Sequence, residues 1–372
     1  MTDTRQTGVV GAGVMGRDIA GLLANAGFPV TLVDVDESAL DAARTDLESR
    51  IPDALEAAGL RERDDLASAV TTATDTAALD GTDFVVEAVP ERLDLKHRVV
   101  ADVEAAIDGG AVVGTNTSSL TPGDVAAEAT HPERVVLFHF ANPAIPRDIV
   151  EISGDDATEA AIERAREVGE AIGKHPIVLQ RERRGNGLSR LSAAIKCAAT
   201  WELTRADPAE IDSAAKAIGF DRGPVEFVDL IGIDVHLHTV DNLADEYGEH
   251  FAPPPEIRQR MEAMVEDGHL GKKTGRGFLE WEGGEAVLPD VDSDYDVTPI
   301  VGALVNEAHL MVADGIADRE TVNDILKRGS GGPVGPFDVE SMLGADHLRS
   351  VLEARYEATG ADVFRPADSL EA

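Results

Sequence analysis

The chain has a single cysteine, Cys197, among its 372 residues. One thiol cannot close a disulfide within the chain, and it excludes a Cys-based metal site; no other metal site is indicated. Its setting, Ala193-Ala194-Ile195-Lys196-Cys197-Ala198-Ala199, reads as a buried helix face and not as the surroundings of a nucleophile. Long apolar runs are also missing. None approaches the ~18 residues of a membrane span, and nothing resembles a signal peptide, so we expect a cytoplasmic protein. Lysine is scarce: there are seven, within a total of 33 basic residues against 70 acidic ones, for a formal net charge of −37. That charge argues against nucleic-acid phosphates and anionic membranes as partners. The acids form no single tail but are dispersed, as at Asp36-Glu37, Asp64-Asp65, Asp155-Asp156 and from Asp292 to Asp296. Dispersed acid predicts a solvated surface whose self-repulsion loosens the fold in dilute buffer. At molar salt the Debye length falls to ~3 Å and the repulsion is screened. We therefore expect a protein of a salt-loaded cell whose melting temperature rises with KCl. A melting curve independent of KCl contradicts that expectation.

What is abundant is patterned glycine. Gly11-Ala12-Gly13-Val14-Met15-Gly16 follows the apolar run Gly8-Val9-Val10, and Asp34 ends the next such run, Val30-Thr31-Leu32-Val33. Glycines at this spacing let the backbone turn tightly and approach a pyrophosphate, which rests on the N-terminus of the following helix. An acid about 20 residues on accepts hydrogen bonds from an adenosine ribose and repels a 2′-phosphate, so the cofactor indicated is NAD rather than NADP. Glycines alone also make ordinary turns; the strand, helix, strand and terminal Asp in register make this a dinucleotide site.

Up to about residue 184, short apolar runs alternate with helical patterns. Strands are predicted at Thr7–Val10, Val30–Asp34, Asp83–Val89, Ala111–Thr115, Arg134–Phe140, Ile149–Ser153 and Pro176–Gln180, with helices over Val14–Ala26, Ser38–Ala58 and Thr158–Ile172. This alternation implies a parallel sheet with helices on both faces, an α/β domain of the Rossmann type over 1–184. Beyond it the pattern is all-α with Gly-Pro turns, and it repeats. Asp212, Gly223-Pro224, Gly232 and Asp234 recur at identical intervals as Asp324, Gly335-Pro336, Gly344 and Asp346. We expect one helical copy at 185–284, an acidic, Gly-bearing linker at 285–297 within the stretch from Trp281 to Asp296, and a second copy at 298–372.

Behind a dinucleotide site, oxidation or reduction of an alcohol needs a group that takes or gives the hydroxyl proton, and His titrates near neutrality. His139 lies at a predicted strand end, and Glu151 lies twelve residues on in the next strand, past a turn containing Asn142-Pro143 and Pro146. Such a turn can bring the pair together near the carboxyl edge of the sheet, where open α/β folds bind ligands. Ser118, in a Ser-Thr run just past another strand end, is suited to hydrogen-bond a substrate oxygen. Taken singly, a His is more often a satisfied core or surface residue. A Ser-Thr run is more often a helix cap, here Thr117 or Ser119 for a helix near Pro122. The combination favours catalysis.

With these residues in place, nearly the whole chain resembles the short-chain L-3-hydroxyacyl-CoA dehydrogenases and their 3-hydroxy-acid dehydrogenase relatives. The resemblance is carried by Gly11–Gly16 with Asp34, by Glu87-Ala88-Val89-Pro90-Glu91 with Lys96, and by Asn116-Thr117-Ser118-Ser119-Leu120. It continues through His139-Phe140-Ala141-Asn142-Pro143 with Glu151, the stretch from Gly223-Pro224 to Asp234, and Gly271-Lys272-Lys273-Thr274-Gly275-Arg276-Gly277-Phe278. It implies NAD as cofactor, held by Gly11, Ala12, Gly13, Val14, Met15, Gly16, Asp34 and Asn116, with Glu91 and Lys96 at the nicotinamide ribose. It implies His139 as base for the 3-hydroxyl proton, Glu151 as the group holding the imidazole, Ser118 on the reacting oxygen and Asn142 shaping the substrate site. The implied substrate is an acyl-CoA, as in β-oxidation of fatty acids.

Three departures bear on that substrate. The family's Gly-Phe-x-x-Asn-Arg reads Gly185-Asn186-Gly187-Leu188-Ser189-Arg190, which puts the shorter Ser189 in the place of a catalytic, substrate-facing Asn. The stretch from Ser49 to Leu66, where the family carries lysines near CoA, is acidic with Arg50, Arg61 and Arg63 as its cations. Ala141 replaces the second Phe of the histidine motif. A dehydrogenase of a free 3-hydroxy acid or sugar acid, and a non-catalytic nucleotide-binding relative, are the alternatives. The repeat implies that a second copy supplies internally the surface a homodimer partner gives in the family, leaving a monomer or weak homodimer.

Overall fold

The computed structural model describes residues 6–288 and 294–370. The chain divides into two compact units. The first takes in residues up to Gly187 and also Gly315–Pro333. Its elements are β1 (Thr7–Val10), α1 (Val14–Asn25), β2 (Val30–Val33), α2 (Glu37–Glu48), α3 (Arg50–Ala57), β3 (Val70–Ala73), β4 (Phe84–Glu87) and α4 (Leu93–Ala106). They continue with β5 (Val112–Thr115), α5 (Pro122–Ala126), β6 (Val135–Phe140), β7 (Ile149–Ser153), α6 (Glu159–Ala171) and β8 (His175–Val178). The eight strands form one sheet in the order β3-β2-β1-β4-β5-β6-β7-β8. Every neighbouring pair is parallel except β6 with β7. The central strands are apolar and buried on both faces, as helix-covered parallel strands must be. Phe84, Phe138 and Phe140 pack edge to face, with centroids 5.0 and 5.2 Å apart, and so tie β4 to β6. Each such pair contributes about 0.5–1.5 kcal/mol beyond its buried area.

Three sequence expectations need correcting here. The sheet is mixed, because the short turn after His139 reverses the chain instead of crossing over through a helix. Val70–Ala73 is a further strand, on the sheet edge, whose half-exposed Val-Thr-Thr-Ala carries too little alternation to announce itself. The helical stretch 38–58 breaks at Ser49, since Pro52 lacks the N–H a continuous helix needs there and its ring crowds the preceding turn.

The second unit comprises Leu188–Asp314 and the residues from Val334 onward. It holds α7 (Leu188–Glu202), α8 (Pro208–Ala217), α9 (Pro224–Ile231), α10 (Ile233–Tyr247), α11 (Pro255–Glu266), the hairpin β9 (Glu280–Glu282) and β10 (Glu285–Val287), and α12 (Thr298–Ala313). After α13 (Arg319–Ser330), which belongs to the first unit, come α14 (Pro336–Leu343) and α15 (Ala345–Thr359). The repeat is visible in three dimensions. The series α7, α8, α9, α10 recurs as α12, α13, α14, α15, and Gly232 and Gly344 begin α10 and α15 with nearly the same backbone angles, φ 101°, ψ 133° and φ 87°, ψ 132°. The equivalent helices α7 and α12 pack on each other, and α12 is buried on nearly every side. Between them Arg190 pairs with Glu307, which also accepts from His250 at 2.7 Å. Burial opposes the Glu307 charge, yet Arg190 and His250 outweigh it and hold the carboxyl at about 2. The repeated aspartates have diverged. Asp212 accepts from the N–H groups of Val225 (2.9 Å) and Glu226 (2.7 Å) at the head of α9, whereas Asp324, on the helix that joins the first unit, is half exposed beside Arg328. Part of the expected linker is ordered: Glu285–Val287 pair with Glu280–Glu282 around Gly283-Gly284, both at positive φ as a tight hairpin turn requires. Residues 289–293 of that segment lie outside the described residues.

Candidate active site

The fingerprint turn joins β1 to α1. Gly11 sits at φ +105°, where a Cβ would stand 2.7 Å from the Ala88 carbonyl, and a Cβ on Gly16 would collide with the Gly11 carbonyl. A Cβ on Gly13, by contrast, would meet nothing within 4 Å. Two glycines thus close-pack the turn and one leaves an open approach. Gly13 and Val14 are exposed at the head of α1, with Ala12 buried beneath and Met15 half-buried. No side chain caps α1 and no acid lies in its first turn, so its N–H groups and the positive end of its dipole face outward. Asp34 follows β2 and accepts from the Ala12 N–H at 2.7 Å through one oxygen and the Asp36 N–H at 2.9 Å through the other. Both bonds come from backbone donors, so the carboxylate is fixed beside the turn with lone pairs remaining for ribose hydroxyls. These residues fit a dinucleotide.

The next strand ends carry a buried charge network. Lys96 of α4 is fully buried, and its ammonium donates to both oxygens of the equally buried Glu87 (2.9 and 3.0 Å) and lies 3.4 Å from Glu91. Burial works against the Lys96 charge, and Glu87 and Glu91 outweigh it, so its pKa is raised. Glu91 in turn is lowered: burial opposes its charge, but Lys96, Thr117 and Ser119 prevail. One Glu91 oxygen accepts from Thr117 Oγ1 (2.6 Å), Ser118 N (2.9 Å), Ser119 N (2.7 Å) and Ser119 Oγ (2.9 Å). Lys96 therefore stands behind Glu91, and Glu91 shapes the loop that presents Ser118. Thr117 and Ser119 are spent on this carboxylate. The helix at Pro122 is capped instead by Thr121, in a reciprocal box with Asp124.

The antiparallel turn sets the chemical pair. His139 on β6 stands directly opposite Glu151 on β7 in the strand register. Cross-strand partners share a face, and His139 Nδ1 lies 2.7 Å from Glu151 Oε2, with both side chains buried. A carboxylate can only accept, so Nδ1 donates and the lone pair is left on Nε2, which lies 3.2 Å from Ser118 Oγ. An imidazole, the carboxylate bonded to its Nδ1, and a hydroxyl are thus assembled on one rim of the sheet. Asn116 accepts from the Phe140 N–H at 2.9 Å and so links the serine loop to the histidine strand. Asn142 is exposed in the following turn, before the cis peptide to Pro143. Ser189 lies half-buried in the first turn of α7, in the second unit.

Two contributors escaped the sequence reading. Asn186, buried at φ +48°, donates to the Thr117 carbonyl at 2.9 Å and holds the serine loop from the far end of the unit. Ile325 of α13 packs on Gly187, where a Cβ would meet both Ile325 (2.8 Å) and the Glu151 carboxylate. An Asn in a Gly-Asn-Gly run signals the first, since Asn tolerates the left-handed region; no local signal announces the second.

A nucleotide turn, a His-Glu pair and a serine on one rim define an NAD-linked oxidoreductase site. Residues 6–183 match the family "3-hydroxyacyl-CoA dehydrogenase, NAD binding domain", and residues 188–281 and 296–372 match "3-hydroxyacyl-CoA dehydrogenase, C-terminal domain". The chain belongs to the 3-hydroxyacyl-CoA dehydrogenase family, as an NAD-binding oxidoreductase. Among solved structures it is similar to FadB2 of M. tuberculosis, with 34% identity over 75% of this chain and 99% of that one and a TM-score of 0.67. It is also similar to (S)-3-hydroxybutyryl-CoA dehydrogenase PaaH1 of Ralstonia eutropha, with 28% identity over 75% and 100% and a TM-score of 0.67. The 3-hydroxybutyryl-CoA dehydrogenase of Escherichia coli shares the fold over 99% of this chain and 98% of that one, with a TM-score of 0.83 at 23% identity. Among the described residues no helix is long and apolar enough to cross a membrane.

Proposed function

We propose that the chain interconverts a 3-hydroxyacyl-CoA and its 3-oxoacyl-CoA. The observation that carries this reading is the His139–Glu151 pair at 2.7 Å with Ser118 on the free imidazole nitrogen. Bound NAD supplies the hydride acceptor, on the turn from Gly11 to Gly16 with Asp34 at the adenosine ribose. His139 Nε2 takes the 3-hydroxyl proton, and Glu151 stabilises the imidazolium that results. Ser118 hydrogen-bonds the reacting oxygen, Asn142 shapes the substrate side, Asn116 serves the cofactor, and Glu91 serves the nicotinamide ribose, with Lys96 acting through Glu91. Ser189 stands at the sequence position of the family's substrate-facing Asn, and its shorter side chain either bridges through water or leaves that role vacant.

Ser189, Ala141 and the acidic 49–66 stretch favour a second reading, a dehydrogenase of a free 3-hydroxy acid or sugar acid. A non-catalytic nucleotide-binding role has no use for His139, Glu151 and Ser118 together. The test is a substrate panel in molar KCl. We expect acetoacetyl-CoA to be reduced with NADH and poorly with NADPH. Turnover of a free 3-hydroxy acid alone moves the assignment to the second reading, and no turnover on the whole panel defeats both.

We further propose that the chain works in the cytoplasm of a salt-loaded cell and needs no obligate dimer, because its repeat pairs α7 with α12 internally. Sedimentation in high salt is expected to give a monomer or a weakly associating dimer. An obligate dimer through both helical copies overturns this.

A further inference from the structure

The eight residues between β6 and β7 fix the register of His139 against Glu151 and carry Asn142, yet they have no strand partner of their own. Their backbone is held by a buried charge from outside the turn. Lys174, which precedes β8 and is 5% exposed, donates to the carbonyls of Ala144 (2.7 Å), Ile145 (2.9 Å) and Arg147 (2.6 Å). An ammonium has three N–H groups, and all three point into this one turn. Ala144 is thus held at its carbonyl by a buried cation. A lone lysine in a core is ordinarily a liability, since burying an unpaired charge strips it of water without compensation. This one has no carboxylate within ion-pair distance among the described residues; three carbonyl dipoles compensate it. Burial pushes its pKa down to about 8, with Asp148 and Asp18 opposing, so at neutral pH the ammonium keeps all three donors.

We propose that Lys174 is a positioning residue for the reaction, a clamp that sets the turn between β6 and β7 and through it the catalytic geometry of His139, Glu151 and Asn142. Its ammonium touches the turn's backbone carbonyls and acts on the reaction only through them. The clamp ties the backbone of this turn to the far edge of the sheet, as a site held to fractions of an ångström requires.

This proposal rests on the dehydrogenase reading, and its test separates the two. Lys174→Met keeps the length and loses the donors; Lys174→Gln keeps two amide N–H groups and serves where the Met variant folds poorly. In the full chain, kcat is expected to fall about 10²-fold in Lys174→Met and less in Lys174→Gln, with the Kd for NAD within about twofold of wild type. Amide hydrogen exchange of residues 140–149 is expected to accelerate while α12 keeps its protection. Added to His139→Gln, the Met substitution is expected to lower kcat no further. Wild-type kcat in a variant whose 140–149 segment exchanges faster overturns the positioning role and leaves a structural one. Unchanged exchange in that segment overturns the clamp itself. The exchange measurement needs no substrate, so a substrate panel without turnover defeats the enzyme reading and leaves the clamp to be decided by exchange alone.

Discussion

His139→Gln is expected to lower kcat by at least about 10² while leaving NAD affinity within error of wild type. Glutamine keeps an amide that can occupy the site between Ser118 and Glu151, so the pocket is not emptied. What it loses is a nitrogen that takes a proton near neutral pH. NAD affinity is spared because the fingerprint residues lie in the turn after β1, on α1 and just past β2, and β1 and β2 are three and four strands from β6 in the sheet order. Steady-state turnover together with an NADH fluorescence titration checks both halves. Full activity refutes the assignment of the base. Lost NADH binding shows instead that the substitution disturbs the sheet. The same logic ranks Glu151→Gln below it. That side chain only orients and stabilises the imidazole, and a neutral amide offers its carbonyl to Nδ1 without the charge that steadies the imidazolium.

The legible part of this protein was the part written in short-range spacing. Gly11, Gly13, Gly16 and Asp34 are separated by fixed backbone geometry, so their sequence intervals already describe the turn they make. His139 and Glu151 were readable as neighbours because two strands with a short turn between them admit few registers, and the observed one places them opposite each other. The repeat was readable because Gly-Pro and Gly-x-Asp fix helix starts at constant intervals. Features set by distant residues were not readable. Glu91 looked like a cofactor ligand in isolation, and its grip on the serine loop depends on residues some 26 positions away. The divergence of Asp324 from Asp212 depends on α13 joining the first unit, which no local pattern encodes. Lys174 reaches the turn after β6 from some 27 to 30 positions along the chain, a contact no local spacing announces.

Lys96→Met is expected to cost about 3–5 kcal/mol of stability, the usual penalty for removing one partner of a fully buried ion pair. The reason is the state left behind. Glu87 is 0% exposed, and besides Lys96 it is bound by Thr115 Oγ1 at 2.6 Å and the Val89 N–H at 2.8 Å, neither of which carries charge. With the ammonium gone, that carboxylate must remain charged in the core or take up a proton, and both options penalise the folded state. Thermal melts in high KCl check this. Screening by salt does not reach a pair this deep, so the loss persists at molar salt, unlike any loss from the acidic surface. A second variant separates charge from packing: Glu87→Gln added to Lys96→Met is expected to recover part of the lost stability, because the stranded charge is removed with its partner. The functional effect should run through Glu91, whose lowered pKa depends in part on Lys96 and whose oxygen holds Thr117, Ser118 and Ser119. A variant that melts like wild type means the two carboxylates do not need this cation. Ser118 would then owe its place to Glu91 without help from Lys96.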